Sequence, residues 1–397
     1  MRRELLEPRN GWQQQMESLG FRYHSIDGVY WDESRCYHFT SEQIDRLESA
    51  SAELHQRALD AARHVIEKDR YQEFRIGPEL VPLIERTFAA FEQGDSAGFS
   101  LFGRMDLSYN GADAPRLLEY NADTPTACLE ASVAQWHWLQ AVRPGADQFN
   151  SIHEKLIDAW ARLRSAAASQ TLHFAAVGEE DSPEDWGNLE YLRDTAIQAG
   201  WSTVALPIDQ IGHGGIDFVD QDAQPIEYLV KLYPWEWMAR EQFGVHLPTS
   251  HVRFIEPAWK MLLSNKALLV ILWELFPDHP NLLPAYYEPG PLGARYACKP
   301  KLAREGANVR LVDGATIEQS DGPYDAADCV FQALAPLPRF GNDHVAVGSW
   351  IVNGEPAGIG LRVRPAERGL YDLLRAPLGL LTPVTQHARG KKQDGAQ

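Results

Sequence analysis

The 397-residue chain has no run of eighteen apolar residues, so no membrane span is expected. Its first residues, Met1-Arg2-Arg3-Glu4-Leu5-Leu6, lack the apolar stretch of a secretion signal, and a cytoplasmic location is expected. Cysteine is scarce. Cys36, Cys128, Cys298 and Cys329 lie far apart with no metal-finger spacing, and they read as buried small hydrophobes rather than disulfides. No G-x-x-x-x-G-K-[ST] sequence occurs, which excludes a P-loop. Basic residues are outnumbered, 37 Lys and Arg against 55 Asp and Glu, for a net charge of −18. Such a surface repels nucleic-acid phosphates. It suits a cationic substrate such as a polyamine, and equally it suits solubility alone. Internal repeats are absent, and no low-complexity linker precedes the C-terminal tail.

What is present is ordinary globular composition, 44% hydrophobic and 23% charged, in a chain long enough for two or three packed lobes. Residues 40–68 carry apolar or small side chains at Ile44, Leu47, Ser51, Leu54, Ala58, Ala61 and Val65, the steps of three and four of an amphipathic helix. Thr40 and Gln43 form its capping box. Strand-like alternation follows over 98–121 with a turn near Asn110-Gly111, then helical patterning over 126–165. A strand at 171–177, a helix at 185–199 and a strand at 202–206 predict a small α/β lobe. A helix is expected over 257–276. The last third reads as β, with strands at 295–299, 307–312, 329–334, 345–352 and 355–362. Asn353-Gly354 marks a two-residue hairpin turn in the final pair.

Two groups of residues carry candidate chemistry. On strands, Arg104 and Asp106 share one face of theirs, and Glu119 and Asn121 share one face of the other. An antiparallel register that sets Asp106 opposite Glu119 also sets Arg104 opposite Asn121, whereas a one-residue slip would split the four. Two carboxylates beside an amide oxygen suit Mg²⁺ held together with phosphate oxygens. A solvated face with Arg104 paired to Asp106 or Glu119, and a glycosidase-like acid pair, fit the same spacing. The second group is Lys299 at a strand end, followed by the small-residue loop through Gly306; it can hold a phosphate or be an ordinary hairpin turn. Lys266, taken alone, reads as a surface lysine on a helix.

Jointly, the segments Gly103-Arg104-Met105-Asp106, Leu118-Glu119-Tyr120-Asn121-Ala122-Asp123-Thr124, Lys231-Leu232-Tyr233-Pro234-Trp235-Glu236-Trp237 and Asn265-Lys266-Ala267-Leu268 resemble the glutathionylspermidine synthase family. So do Lys299-Pro300 through Arg304-Glu305-Gly306-Ala307-Asn308, Gly348-Ser349-Trp350 and Gly358-Ile359-Gly360-Leu361-Arg362. The resemblance implies an α+β ATP-grasp fold with an inserted small α/β lobe and an N-terminal helical region. It implies a ligase that uses ATP and Mg²⁺ to join small-molecule acid and amine substrates; the acidic charge and the lack of an apolar span are why no nucleic-acid or membrane partner is expected. By the same resemblance Asp106, Glu119 and Asn121 are magnesium ligands. Lys266, Lys299, Gly306, Gln332 and Leu334 meet ATP, and Arg104 and Arg362 hold the reacting groups. Thr124 and Thr126 meet the acid, and Glu184 and Asp185 lie near the amine.

The implied divisions are 1–95, mainly helical; 96–165, the metal-binding strand pair and following helices; 166–250, the α/β substrate lobe; 251–365, the nucleotide-binding region; and 366–397, a divergent tail. The amidase domain of some family members is not expected. After Arg362 the sequence leaves the family pattern. The segment is expected to be partly without regular structure, and its loss of cover to let some ATP be hydrolysed without coupling. A relative that binds nucleotide or polyamine without catalysis is the competing reading; a carbohydrate hydrolase would leave Lys266 and Lys299 idle.

Overall fold

The computed structural model describes residues 1–26, 28–304, 306–325, 328–365, 380–382 and 384–386. The amphipathic helix runs Ser41–Glu67 and begins with both bonds of its capping box. Gln43 N donates to Thr40 Oγ1 at 3.3 Å, and Thr40 N donates to Gln43 Oε1 at 3.1 Å. Every apolar or small position picked out by its period is buried. That face packs on the back of a six-stranded sheet, joining Leu47 and Leu54 to Met105, Leu107, Val345 and Val347 in one core. Truncating a leucine there to alanine should cost ~2–5 kcal/mol. Two buried polar contacts fix helix against sheet: Ser51 Oγ to Ser349 Oγ at 2.7 Å and His55 Nδ1 to Tyr120 Oη at 2.9 Å.

The six-stranded sheet runs in the order Leu380–Thr382, Glu355–Pro365, Asp343–Val352, Phe102–Ser108 and Arg116–Asn121, with Arg339–Phe340 added alongside Asp343–Val352. All its pairings are antiparallel. Asp106 stands opposite Glu119 and Arg104 opposite Asn121, the register expected from strand parity. A bulge after Asp106 shifts the remainder of the pair by one residue, so that Leu107 faces Leu117. Met105 and Leu107 thereby point into the helix-side core while Arg104 and Asp106 face the other way. The Asn353-Gly354 turn has positive φ at both residues, 49° and 81°, as a two-residue hairpin requires.

A second, five-stranded antiparallel sheet has the order Ala285–Tyr286, Cys329–Ala333, Arg295–Pro300, Arg310–Asp313 and Thr316–Gln319. Thr171–Ala176, Ser202–Pro207, Tyr228–Leu232 and Arg253–Ile255 form a four-stranded parallel sheet, crossed by the helix Pro183–Gln198. The chain is thus a mixed α/β fold of several sheets.

Several expectations need correction. The helical stretch over 126–165 is broken once, after Val142: a π turn at Glu130–Ala134 runs directly into Gln135–Val142, and Ile152–Ala166 follows. The N-terminal region also carries strands, Arg2–Leu5 and Arg35–Phe39. The helix expected over 257–276 is interrupted: Lys260–Ser264 ends at Asn265, which is extended with ψ 136°, and Leu268–Leu275 follows. Asn265 causes the break by bonding outside the helix, donating to Phe74 O at 2.8 Å and accepting from Ala267 N at 2.9 Å. Lys266, expected on a helix surface, is therefore buried. Past Arg362, a segment expected to lack regular structure only in part, the strand extends to Pro365, Leu380–Thr382 pairs with that strand, and Val384–Gln386 pairs with Arg35–Phe39. Residues 366–379, 383 and 387–397 of the expected divergent tail lie outside the described residues.

Candidate active site

The start of Phe102–Ser108 is held by a buried carboxylate. Glu256 Oε1 accepts from Leu101 N and Phe102 N, both at 2.9 Å, while Lys260 Nζ lies 3.1 Å from its other oxygen. From this anchored strand Arg104 and Asp106 project into a cavity of about 370 Å³. Glu119 and Asn121 project from the paired strand, and Arg362 from the strand Glu355–Pro365. Arg104 grips Asp106 with Nε at 2.7 Å and Nη2 at 3.2 Å, and its Nη1 donates to Thr126 O at 2.5 Å. Arg362 Nη1 reaches Asp106 Oδ2 at 3.2 Å. The Asn121 amide donates to both Asp106 Oδ2 and Glu119 Oε1 at 3.2 Å, bridging the two carboxylates. The Arg104–Asp106 pair weighed as a solvated face is thus present, but it is buried on a cavity wall.

A second, cationic wall meets it at Glu119. Lys266 Nζ lies 3.2 Å from Glu119 Oε2 and donates to Ala303 O at 2.5 Å. Lys299, on the strand Arg295–Pro300, donates to Leu118 O at 2.8 Å and to Gln332 Oε1 at 2.6 Å. Burial pushes the Lys299 ammonium down to about 8, Glu119 opposes this, and the neighbouring Lys266 adds to it. Burial also acts to raise the Glu119 carboxyl, but Lys266 and Lys299 outweigh it and hold the group well below the usual carboxylate range. Gly306 lines the cavity with positive φ, and Gln332 and Leu334 close it near the end of the strand Cys329–Ala333. Leu118, Val309 and Leu311 contribute apolar wall.

Thr124, Thr126 and Asp185 also line the cavity. Glu184 does not. It lies behind the wall, where its Oε1 is 3.1 Å from the Tyr30 hydroxyl, which donates to the buried Glu130 at 2.6 Å. Burial, reinforced by the charge of Glu130, raises the Glu184 carboxyl to about 8 despite a bond from Thr126. Asp185 is also raised by burial, against a bond from Ser182.

Beside these groups lies a partly buried network to which the sequence alone assigned no role. Arg304 Nη1 donates to Thr124 Oγ1 at 2.6 Å and its Nη2 to Glu236 Oε1 at 2.8 Å. Asp123 accepts from Trp235 N at 3.1 Å and is ion-paired with Lys231, which burial drives below its usual range. These residues come from three segments, the nearest two of which are joined by a pair 68 positions apart, and only the presence of Asp123, Lys231, Glu236 and Arg304 within the matched motifs signals them.

The family model described as glutathionylspermidine synthase preATP-grasp matches residues 3–367. The chain belongs to the glutathionylspermidine synthase family. A Haemophilus influenzae protein provisionally named an acid–amine ligase is 40% identical over 367 residues, covering 88% of this chain and 91% of its own. Trypanothione synthetase of Crithidia fasciculata is 27% identical, matched over 78% of this chain and 51% of its length. The bifunctional glutathionylspermidine synthetase/amidase of Escherichia coli is 25% identical, matched over 88% and 60%. The chain therefore spans nine-tenths of the first of these relatives and only half to three-fifths of the other two. A glutathione synthetase-like effector of Globodera pallida shares the fold, with a TM-score of 0.54 at 10% identity over 95% of this chain and 96% of its own. The family's names are those of carbon–nitrogen ligases, and the chain is an enzyme of that class.

Proposed function

We propose that this family member is an ATP- and Mg²⁺-dependent ligase that joins a peptide-like carboxylate to an amine, with a polyamine such as spermidine as the amine class. The reaction runs through an acyl phosphate. One observation carries the reading: two carboxylates bridged by an amide, two buried lysines from a separate wall and two arginines converge on one cavity. The names of relatives such as trypanothione synthetase and glutathionylspermidine synthetase/amidase support the substrate class.

The donor set fits the ion, because Asp106, Glu119 and Asn121 offer adjacent hard oxygens at the cavity wall once the Asn121 amide turns its oxygen inward. Bound there, Mg²⁺ would offset charge on the phosphate oxygens during phosphoryl transfer. Lys266, Lys299 and the backbone near Gly306 hold those oxygens, and Gln332 and Leu334 face the base. Arg104 and Arg362 orient the acid's carboxylate and neutralise the phosphoryl group it accepts, which makes its oxygen a leaving group. Thr124 and Thr126 bind the acid. Amine attack then needs a neutral nitrogen, and at pH 7 an alkylammonium is neutral only about once in a thousand. Asp185 holds the incoming ammonium at the cavity, and Glu184, once it has lost its own proton to solvent as that positive charge approaches, takes up the ammonium proton through the Thr126 hydroxyl that connects it to the cavity. Enclosure between the sheets keeps water from the acyl phosphate.

The same reading makes 166–250 the inserted substrate lobe and 251–365 the nucleotide-binding region of an ATP-grasp fold. A screen of acid–amine pairs for ADP release tests it. Release that requires both substrates is expected, and nucleotide binding without such release would leave a binding protein instead.

A further inference from the structure

Away from the cavity, the strand Arg2–Leu5 pairs with Arg35–Phe39 so that Glu4 stands opposite Cys36. Cys36 and His38 are two residues apart and share a face of their strand. Cys36 Sγ lies 3.4 Å from His38 Nε2, and Glu4 Oε2 lies 2.6 Å from the same nitrogen. Thiol sulfur, imidazole nitrogen and carboxylate oxygen all fall within 4.8 Å of one another. The cysteine and histidine are buried, whereas the glutamate is partly open to solvent. The outward polar atoms are held as well: His38 Nδ1 is 2.6 Å from Thr385 Oγ1, and Arg143 Nη2 donates to Glu4 Oε1 at 2.6 Å. Metal-ligating imidazoles have their second ring nitrogen fixed by such a partner.

We propose that Glu4, Cys36 and His38 form a Zn²⁺ site with an open fourth position, tying the N-terminal strand, its neighbour and the strand Val384–Gln386 together. One sulfur, one nitrogen and one carboxylate oxygen match zinc rather than magnesium. Bonds of roughly 2.0–2.3 Å set the ligand atoms of a tetrahedral site roughly 3.3–3.7 Å apart. The sulfur–nitrogen separation of 3.4 Å already meets this. Glu4 has to retreat from the imidazole by about 1 Å, and its position at the solvent edge permits that. The thiolate and carboxylate together balance the ion's charge, and Arg143 keeps its partner oxygen.

Binding releases one proton. The Cys36 thiol gives its proton to solvent as the S–Zn bond forms. The proton on His38 Nε2, which bonds Glu4 in the metal-free form, is replaced by one on Nδ1 that is donated to Thr385 Oγ1. The site therefore takes the metal more tightly as pH rises.

The experiment titrates the full chain, stripped with chelator, with Co²⁺ as a spectroscopic probe and then with Zn²⁺. Expected are a thiolate-to-cobalt band in the near ultraviolet, visible bands of four-coordinate cobalt, displacement by one equivalent of Zn²⁺ and a raised melting temperature. Cys36→Ser should lose the thiolate band while Cys128→Ser keeps it, and nucleotide-induced stabilisation should be the same in both. Thr385→Val, which leaves all three ligands in place, should weaken zinc by ~10–100-fold and serves if Cys36→Ser fails to fold. Absence of the band, its persistence in Cys36→Ser, or unchanged zinc affinity in Thr385→Val would overturn the proposal.

Discussion

The two walls of the cavity are built by different means. On the acidic wall, Asp106, Glu119, Arg104 and Asn121 are placed by strand register, and their positions follow once two neighbouring strands pair. On the basic wall, Lys266 sits in a break between two helices and Lys299 is steered by Leu118 O and Gln332. Register is local and stiff, because a one-residue slip would turn every side chain to the other face. The basic wall instead depends on bonds between distant segments, such as Asn265 to Phe74 and Lys266 N to Lys301 O at 3.0 Å. The acidic wall should therefore govern chemistry with the fold unchanged, and the basic wall should couple nucleotide binding to the packing around it.

The largest effect is expected at Glu119→Ala, which should lower amide formation by more than about a hundredfold through loss of charge stabilisation in the transition state. Steady-state ADP and amide assays, with circular dichroism to check the fold, measure it. A tenfold loss or less would mean that the acidic wall only shapes the cavity. Next, Mg²⁺–ATP should stabilise the native protein by ~2.7 kcal/mol at a hundred times its dissociation constant. Lys299→Met should abolish that melting shift, and an unchanged shift would remove Lys299 from the nucleotide site.

Behind the acidic wall, the raised Glu184 carboxyl makes the folded state bind more protons than the unfolded state between about 4.5 and 8. Its contribution to stability is thus complete below that window and is lost as pH rises through it, with a slope of up to ~1.4 kcal/mol per pH unit. Glu184→Gln should flatten denaturation free energies between pH 5 and 8, gaining on the wild type as pH rises. Parallel curves would show that Glu184 is not held protonated. The smallest effect is expected at Asn265→Ala. Losing two side-chain bonds should cost ~1–3 kcal/mol in urea denaturation and raise the KM for ATP several-fold with little change in kcat. An equal loss in kcat would erase the distinction between the walls.

How much could be read from the sequence follows the same division. The capping box at Thr40, the packing face of the helix it starts, the Asn353-Gly354 turn and the parity of Arg104, Asp106, Glu119 and Asn121 are set by neighbours along the chain, and all were legible. Lys266 was misread because Ala267-Leu268-Leu269 continues a helical pattern and nothing local reveals that Asn265 bonds Phe74. Arg304, Asp123, Lys231 and Glu236 form one partly buried network only after three sheets have assembled. The short strands Arg2–Leu5 and Val384–Gln386 escaped because three or four residues carry too little period to distinguish them from loop. Glu184 was read with Asp185 near the amine, and because consecutive residues on a helix point about 100° apart, only the second of them lines the cavity.

The central claim is that both walls serve one reaction, in which ATP is consumed only to join an acid to an amine. The direct measurement is ADP release by the full chain with Mg²⁺ in four mixtures: ATP alone, with a glutathione-like acid, with spermidine, and with both. The account predicts that ADP release is fast only with both substrates, together with an amide product, and that Glu119→Ala removes it. ADP release at the same rate in all four mixtures, or none in any of them while ATP still raises the melting temperature, would contradict it.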